Sequence, residues 1–503
     1  MKRTAILFLL IILSGITVWS QTNALKVVTN VDESVKNDFK PNGRIFLFIS
    51  NGQSGEPRFN TWPNSSNKIF ATNIKNWEAG ETFVFDDTKA FIQTVEVSLD
   101  KLPAGNYRIQ ILWDQDKNES GINAPGNLYS EPVSVQLNED KTVELPLTKI
   151  VEPTKLQENK YLKEVDIKSS TLSKWWEKEM HVKAAVLLPG TYFENPQKKY
   201  PVRYNVAGYG GSYTRANRIA GNKSFMDWWT SKDAPQVITV FLDGDGPFGD
   251  SYQLNSDNSG PYGTMLTGEL IPNIEREYRG IGTPESRFVE GCSTGGWVSL
   301  ALKLFYPDFF NGCFSYSPDP VDFENFQLIN IYSDENAFYN EFNYLRPLMR
   351  DVTGEPVISQ KDFVQYENVL GWSDTYVTSG EQFSAFIALF SPKGDDGLPK
   401  PLFDPNTGEI DHEVAQYWRK YDLKDYVQKN WSTLGPKIAG KIWVWGADMD
   451  NYYLNPALRA FDRMLKQTKN PVSDATITFT PMTGHCQEYN FKNVYFQIEE
   501  KLK

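Results

Sequence analysis

The run Arg287-Phe288-Val289-Glu290-Gly291-Cys292-Ser293-Thr294-Gly295-Gly296 limits what this chain can fold into more than any other segment. Its first four residues read as a strand, and beyond Gly296 the residues Ala301, Leu304 and Phe305 share one helical face. Between them, Gly291-Cys292-Ser293-Thr294-Gly295 fits G-x-S-x-G. Glycines on both sides of a serine permit a tight strand-to-helix turn that lifts the hydroxyl clear of the sheet. A turn of this kind requires a sheet with helices packed on it.

The flanking pattern agrees. Strand candidates at 181–188 (HVKAAVLL), 202–206 (VRYNV), 236–242 (QVITVFL), 288–290, 441–445 (KIWVW) and 475–480 (ATITFT) alternate with helical stripes. Met265, Leu266, Leu270, Ile271, Ile274 and Tyr278 form one stripe, and Leu458, Phe461 and Leu465 another; both read as core faces. The segment from 318 to about 434 breaks the alternation. It is rich in aromatics (Phe323, Phe326, Tyr332, Phe338, Tyr339, Phe342, Trp372, Tyr376), and an insert of this size is expected to roof the site.

Residues 25–150 carry a different pattern. Runs at 44–50 (RIFLFIS), 94–99, 106–113, 132–137 and 142–147 are short and rich in β-branched or aromatic residues, with turns such as Pro103-Ala104-Gly105 between them. They predict a small all-β sandwich, immunoglobulin-like in size. The region contains no histidine, so a positioning or stabilising role is expected of it. The lysine- and glutamate-rich stretch 151–165 reads as a linker, and 166–503 as the α/β catalytic domain. Two domains also suit a chain of 503 residues.

At the N-terminus, Lys2 and Arg3 precede the apolar run 5–19, with small residues Val18 and Ser20 placed for cleavage after Ser20. A signal peptide over 1–20 and a secreted or periplasmic location follow. The apolar run is short for a membrane span, and no second candidate follows it, so no stable membrane anchor is expected. Loss of the leader takes the formal charge from −12 to −14, which repels phosphate backbones and argues against nucleic-acid binding. No zinc-ligand cluster is present. Asp243-Gly244-Asp245-Gly246 with Asp250 lacks EF-hand spacing, so neither metal nor cofactor is expected.

Only three histidines can serve as a base. His181 opens an early strand, and His412 lies in the polar run Glu409-Ile410-Asp411-His412-Glu413 of the insert. His485 alone follows the last strand, where an α/β-hydrolase places it in the chain order serine, acid, histidine. The acid should follow the strand 441–445, where Gly446-Ala447-Asp448-Met449-Asp450 offers two carboxylates. Asp450, just before the next helix, is favoured; Asp448 is the alternative. An oxyanion site needs two backbone N–H donors. Thr294, directly after the serine, supplies one; Tyr209, or alternatively Gly210, in Ala207-Gly208-Tyr209-Gly210-Gly211 supplies the other.

Gly291-Cys292-Ser293-Thr294-Gly295-Gly296 together with Gly484-His485-Cys486 resembles the CS-D-HC signature of the tannase and fungal feruloyl esterase family. There a disulfide joins the residue before the serine to the residue after the histidine. The resemblance implies a Cys292–Cys486 bond, with Cys313 a buried free thiol. Closing so long a loop is worth ~4–5 kcal/mol on the chain-entropy account. From roughly 180 to 500 the chain is also similar to the esterase family that includes enterochelin-esterase-like and esterase-D-like hydrolases. The similarity rests on Val206-Ala207-Gly208-Tyr209-Gly210-Gly211, on Gly260-Pro261-Tyr262-Gly263 with Glu269-Leu270-Ile271-Pro272, and on the elbow, the turn Gly291-Cys292-Ser293-Thr294-Gly295. Ala207 stands where that family's loop often has histidine.

These resemblances imply an α/β-hydrolase that cleaves carboxylic esters through an acyl-enzyme, with feruloyl or acetyl esters on plant or algal polysaccharides as the expected substrates. The same residues would also serve a peptidase or another acyl hydrolase. A non-catalytic carbohydrate-binding protein is the remaining reading, disfavoured by the ordered serine, acid and histidine.

Overall fold

The computed structural model describes residues 22–503 except Gln53, Ser65 and Lys117. The expected leader lies outside the described residues. No helix among those described is long and apolar enough to cross a membrane.

In the N-terminal region, Gly43–Ser50 lies between Asn67–Ile74 and Gly105–Asp114, antiparallel to both. Val133–Leu137 and Leu128–Tyr129 extend the sheet along Gly105–Asp114. A second sheet sets Leu25–Thr29 between Phe83–Phe85 and Lys141–Glu144. Strand side chains alternate between faces, and here the alternation sorts them into two cores. Ile45, Leu47 and Ile49 face the second sheet and join Val27, Ile109, Ile111 and Trp113. Phe46 and Phe48 face the other way, with Ile69 and Leu112, and meet Tyr366, Val369 and Leu370 of the insert.

Two expectations change here. The strand expected at 94–99 stops early, at Ile92–Gln93. Thr94 ends the ladder by exchanging bonds with Ile69, its Oγ1 accepting the Ile69 N–H at 3.0 Å, and a tight Val97-to-Val95 bond follows. The presumed linker 151–165 ends instead in a strand, Leu162–Lys168, paired antiparallel with His181–Leu187. Its charged residues suit an edge strand, where they discourage further pairing.

The C-terminal region is built on one eight-stranded sheet, numbered β1 to β8 in chain order: Leu162–Lys168, His181–Leu187, Val202–Val206, Ile238–Leu242, Arg287–Cys292, Gly312–Tyr316, Ile442–Ala447 and Thr476–Thr480. The spatial order is β1-β2-β4-β3-β5-β6-β7-β8. Strand β2 runs antiparallel to its neighbours, and β3 to β8 are parallel. This is the α/β-hydrolase sheet. Its central strands β3, β4, β5 and β6 are buried along their whole length, which is why they read as continuous apolar runs.

The chain leaves the sheet at Tyr316 and returns at Ile442. The expected insert, 318 to about 434, is longer than the real roof. The helix Leu423–Ile438 buries Leu423, Val427, Leu434 and Ile438 in the main core and serves as the crossover to β7. The rest of the segment holds the helices Gln360–Leu370 and Gln382–Phe390 and the hairpin of Pro347–Arg350 with Pro356–Ser359. Ser359 caps the first of these helices, its Oγ accepting the Asp362 N–H at 3.1 Å.

Candidate active site

The carboxyl ends of β3, β5, β6, β7 and β8 open on one cavity of about 450 Å³. Ser293 lies between β5 and the helix Thr294–Phe305, with φ 62° and ψ −127°. A left-handed φ on a non-glycine residue costs about 1–3 kcal/mol and persists only where its surroundings enforce it. Here the Ser293 N–H donates to Tyr316 O, and the Ser293 carbonyl accepts from the Trp297 N–H, both at 3.0 Å. A Cβ on Gly295 would stand 2.4 Å from Val206 O, so only glycine lets the helix begin directly against β3.

The loop after β3 crosses over this turn. Gly211 N–H donates to Gly208 O at 3.1 Å, closing a turn around Tyr209 and Gly210. A Cβ on Gly208 would meet Cys292 O at 3.3 Å, so the loop rests on the elbow. Thr294 is the first helical residue, and its N–H therefore has no acceptor within the helix. Asp243 anchors the far end of the loop by accepting the Tyr213 N–H. Burial pushes the Asp243 carboxyl up to about 7 and that of Asp250 up to about 8. Among the described residues, no group of three or more His, Cys, Asp or Glu is set to hold a metal ion.

His485 follows β8, and its Nδ1 lies 2.8 Å from Asp450 Oδ2. The other Asp450 oxygen accepts the Tyr452 N–H at 2.9 Å, and the side chain is buried. His485 Nε2 is buried and has no hydrogen-bond partner. It belongs to the cavity that Ser293 also lines. Burial works against the charged imidazole, but the charge and hydrogen bond of Asp450 and the charge of Asp319 outweigh it, so its pKa lies above the ordinary 6.5. Asp448 does not meet the ring; its carboxylate is paired with Arg459. Arg350 of the insert hairpin donates to Asp450 O at 2.9 Å and braces the same loop.

The remaining histidines lie elsewhere. His181 pairs with Asp166 at 2.6 Å and Glu179 at 3.2 Å on an exposed edge. His412 begins a helix, its Nε2 3.9 Å from Glu335. A disulfide joins Cys292 to Cys486, with Cα atoms 6.1 Å apart. Cys313 is free and buried, and burial pushes its thiol up to about 12.

Several cavity residues escaped sequence reasoning. Asp319, just past β6, accepts hydrogen bonds from Tyr252 Oη and Thr294 Oγ1, each at 3.0 Å. Burial pushes its carboxyl up to about 6. Its one sequence signal is an acid between two prolines at a strand end. The insert supplies Phe363, Phe383 and Phe386 to the cavity, and none of the eight aromatics singled out by composition. Trp62, from the N-terminal region, also lines it.

Residues 177–339 match the family described as "Putative esterase". Among solved structures the chain is similar to a ferulic acid esterase, with 17% identity over 69% of this chain and 100% of that one and a TM-score of 0.40. It is similar to an S-formylglutathione hydrolase from Agrobacterium tumefaciens, with 14% identity over 68% and 92% of the two chains and a TM-score of 0.36. A ferulic acid esterase from Anaeromyces mucronatus shares 13% identity over 68% and 90%, with a TM-score of 0.32.

Proposed function

We propose, from the match of residues 177–339 to an esterase family and from the geometry of the cavity, that this chain is a serine hydrolase of carboxylic esters. The carrying observation is a histidine held on Nδ1 by a buried carboxylate, its buried Nε2 unpaired, in the cavity that a strained serine also lines. In this reading Ser293 Oγ attacks the ester carbonyl while His485 Nε2 takes its proton. Asp450 fixes the tautomer and favours the imidazolium that forms. The amides of Thr294 and Tyr209, or Gly210 in place of the latter, receive the developing oxyanion. The alcohol leaves with the proton from His485, and water, activated by the same ring, hydrolyses the acyl-enzyme.

The apolar walls of Phe363, Phe383 and Phe386 support a flat or extended acyl group, in keeping with feruloyl esters on polysaccharide. The disulfide and the leader sequence support export. Ser293→Ala should abolish release of 4-nitrophenol from 4-nitrophenyl acetate. Turnover by that variant at the wild-type rate would refute the assignment.

A further inference from the structure

We propose that the N-terminal domain forms part of the active site, with Trp62 as the wall that recognises a flat aromatic group of the ester. The inference rests on the hydrolase reading above and goes further, because it assigns a substrate contact to a domain that contains none of the reacting groups.

Trp62 sits in the loop between the turn Pro57–Phe59 and the strand Asn67–Ile74. Its indole packs edge-on against three rings of the other domain: Phe363 at 5.1 Å, Tyr209 at 6.0 Å and Tyr452 at 6.3 Å between centroids. Tyr209 belongs to the oxyanion loop. Tyr452 meets the His485 ring at 4.9 Å and 90°. An unbroken series of aromatic contacts therefore runs from the N-terminal domain to the catalytic imidazole. Trp62 packs with the hydrophobic core of the C-terminal region rather than with that of its own sandwich.

The loop is fixed in place. Asn64 Nδ2 donates to Trp62 O at 2.6 Å, and Tyr366 Oη lies 2.9 Å from the carbonyls of both Asn64 and Asn67. A half-buried indole held this way from outside the catalytic domain, facing the cavity, offers a pre-set surface for edge or offset stacking. An aliphatic ester has no group to use it.

The aromatic group could belong to the acyl or the alcohol side, and three esters separate the two: methyl 3-phenylpropenoate, benzyl acetate and ethyl acetate. In the full-length protein, Trp62→Ala should lower kcat/KM at least about tenfold on one of the aromatic esters. The loss should fall mainly on KM. Ethyl acetate should stay within about threefold, and Trp62→Phe should recover most of the loss. Equal losses on all three esters would mark Trp62 as a structural residue and overturn the proposal; no loss on any would do the same. Calorimetric binding of 3-phenylpropenoate to wild type and Trp62→Ala reads the contact without turnover. Trp62-dependent binding in a protein that cleaves no ester would count against the hydrolase reading and leave the wall standing. Equal binding by both proteins would remove the wall.

Discussion

His485 is influenced by two carboxylates of different kinds. Asp450 touches the ring; Asp319 acts on it through space, from a site where Tyr252 and Thr294 occupy one of its oxygens. Both favour the imidazolium, so the ring's pKa lies above 6.5 in the folded protein. Only the neutral ring accepts a proton, so kcat/KM should rise with pH along a limb centred above 6.5. Asp450→Asn removes the larger support. The limb should move to lower pH while kcat falls by about 10⁴, as measured across a pH series on one ester. An unmoved limb would mean that Asp450 does not hold the ring. Asp319 makes a prediction of opposite sign. Burial raises its pKa from 3.8 to about 6, so the fold disfavours the carboxylate form. That cost is absent below pH 3.8, grows as pH rises through this window and is complete above about 6. Asp319→Asn, which still offers an oxygen to Tyr252 and Thr294, should melt above the wild type at pH 8 and together with it at pH 3.5. A variant that melts lower at pH 8 would show that the negative charge itself supports the fold.

At the scale of elements, the elbow and the loop after β8 are separate pieces of chain held together at several points. The disulfide ties Cys292 to Cys486 across 194 residues. Beside it, Tyr489 donates to Glu290 Oε2 at 2.9 Å, and Glu290 is paired with Arg203 in the sheet. A loop of that length is worth about 5 kcal/mol of unfolded-state entropy if native geometry is undisturbed. Cys292→Ser/Cys486→Ser should therefore lower the denaturation midpoint well beyond experimental error, with a smaller loss of activity, since Tyr489 still anchors the histidine loop. An unchanged midpoint would mean that the bond does not constrain the unfolded chain. How legible these elements were follows from how local their signals are. The elbow is written in three glycines around one serine, and the histidine loop in the scarcity of histidine. The insert is different. Phe323, Phe326, Phe338 and Tyr376 stand out in its composition but are buried in the main core of the C-terminal region. Phe363, Phe383 and Phe386 face the cavity because of how their helices dock, which no spacing records. Asp319 was hard to read for a related reason: what places it is where β6 ends, and strand ends are set by neighbouring strands rather than by the residue itself.

Across the whole molecule, the run Arg44-Ile45-Phe46-Leu47-Phe48-Ile49-Ser50 has a meaning that no single element explains. A sandwich strand with one wet face alternates apolar and polar residues, whereas continuous apolar character requires both faces to be covered. The second cover is the helix Gln360–Leu370, more than three hundred residues away in sequence, whose Tyr366, Val369 and Leu370 meet Phe46 and Phe48. Buried Arg44 seals the edge by donating to Val369 O at 2.9 Å and pairing with Asp374. Inter-domain contacts are mobile by default unless they are large and hydrophobic; this one is apolar and supports the loop that carries Trp62. The two regions should then unfold as one cooperative unit, giving a single calorimetric transition in the full chain. Val369→Asp tests this at a residue that does not line the cavity. A carboxylate at this fully buried interface position, where Arg44 is already engaged by Asp374 and the 369 carbonyl, costs several kcal/mol as long as the domains stay docked. Separation relieves that cost, so the variant should melt in two transitions and lose aromatic-ester activity before it loses the catalytic sheet. A single transition, shifted but undivided, would mean that neither region folds without the other.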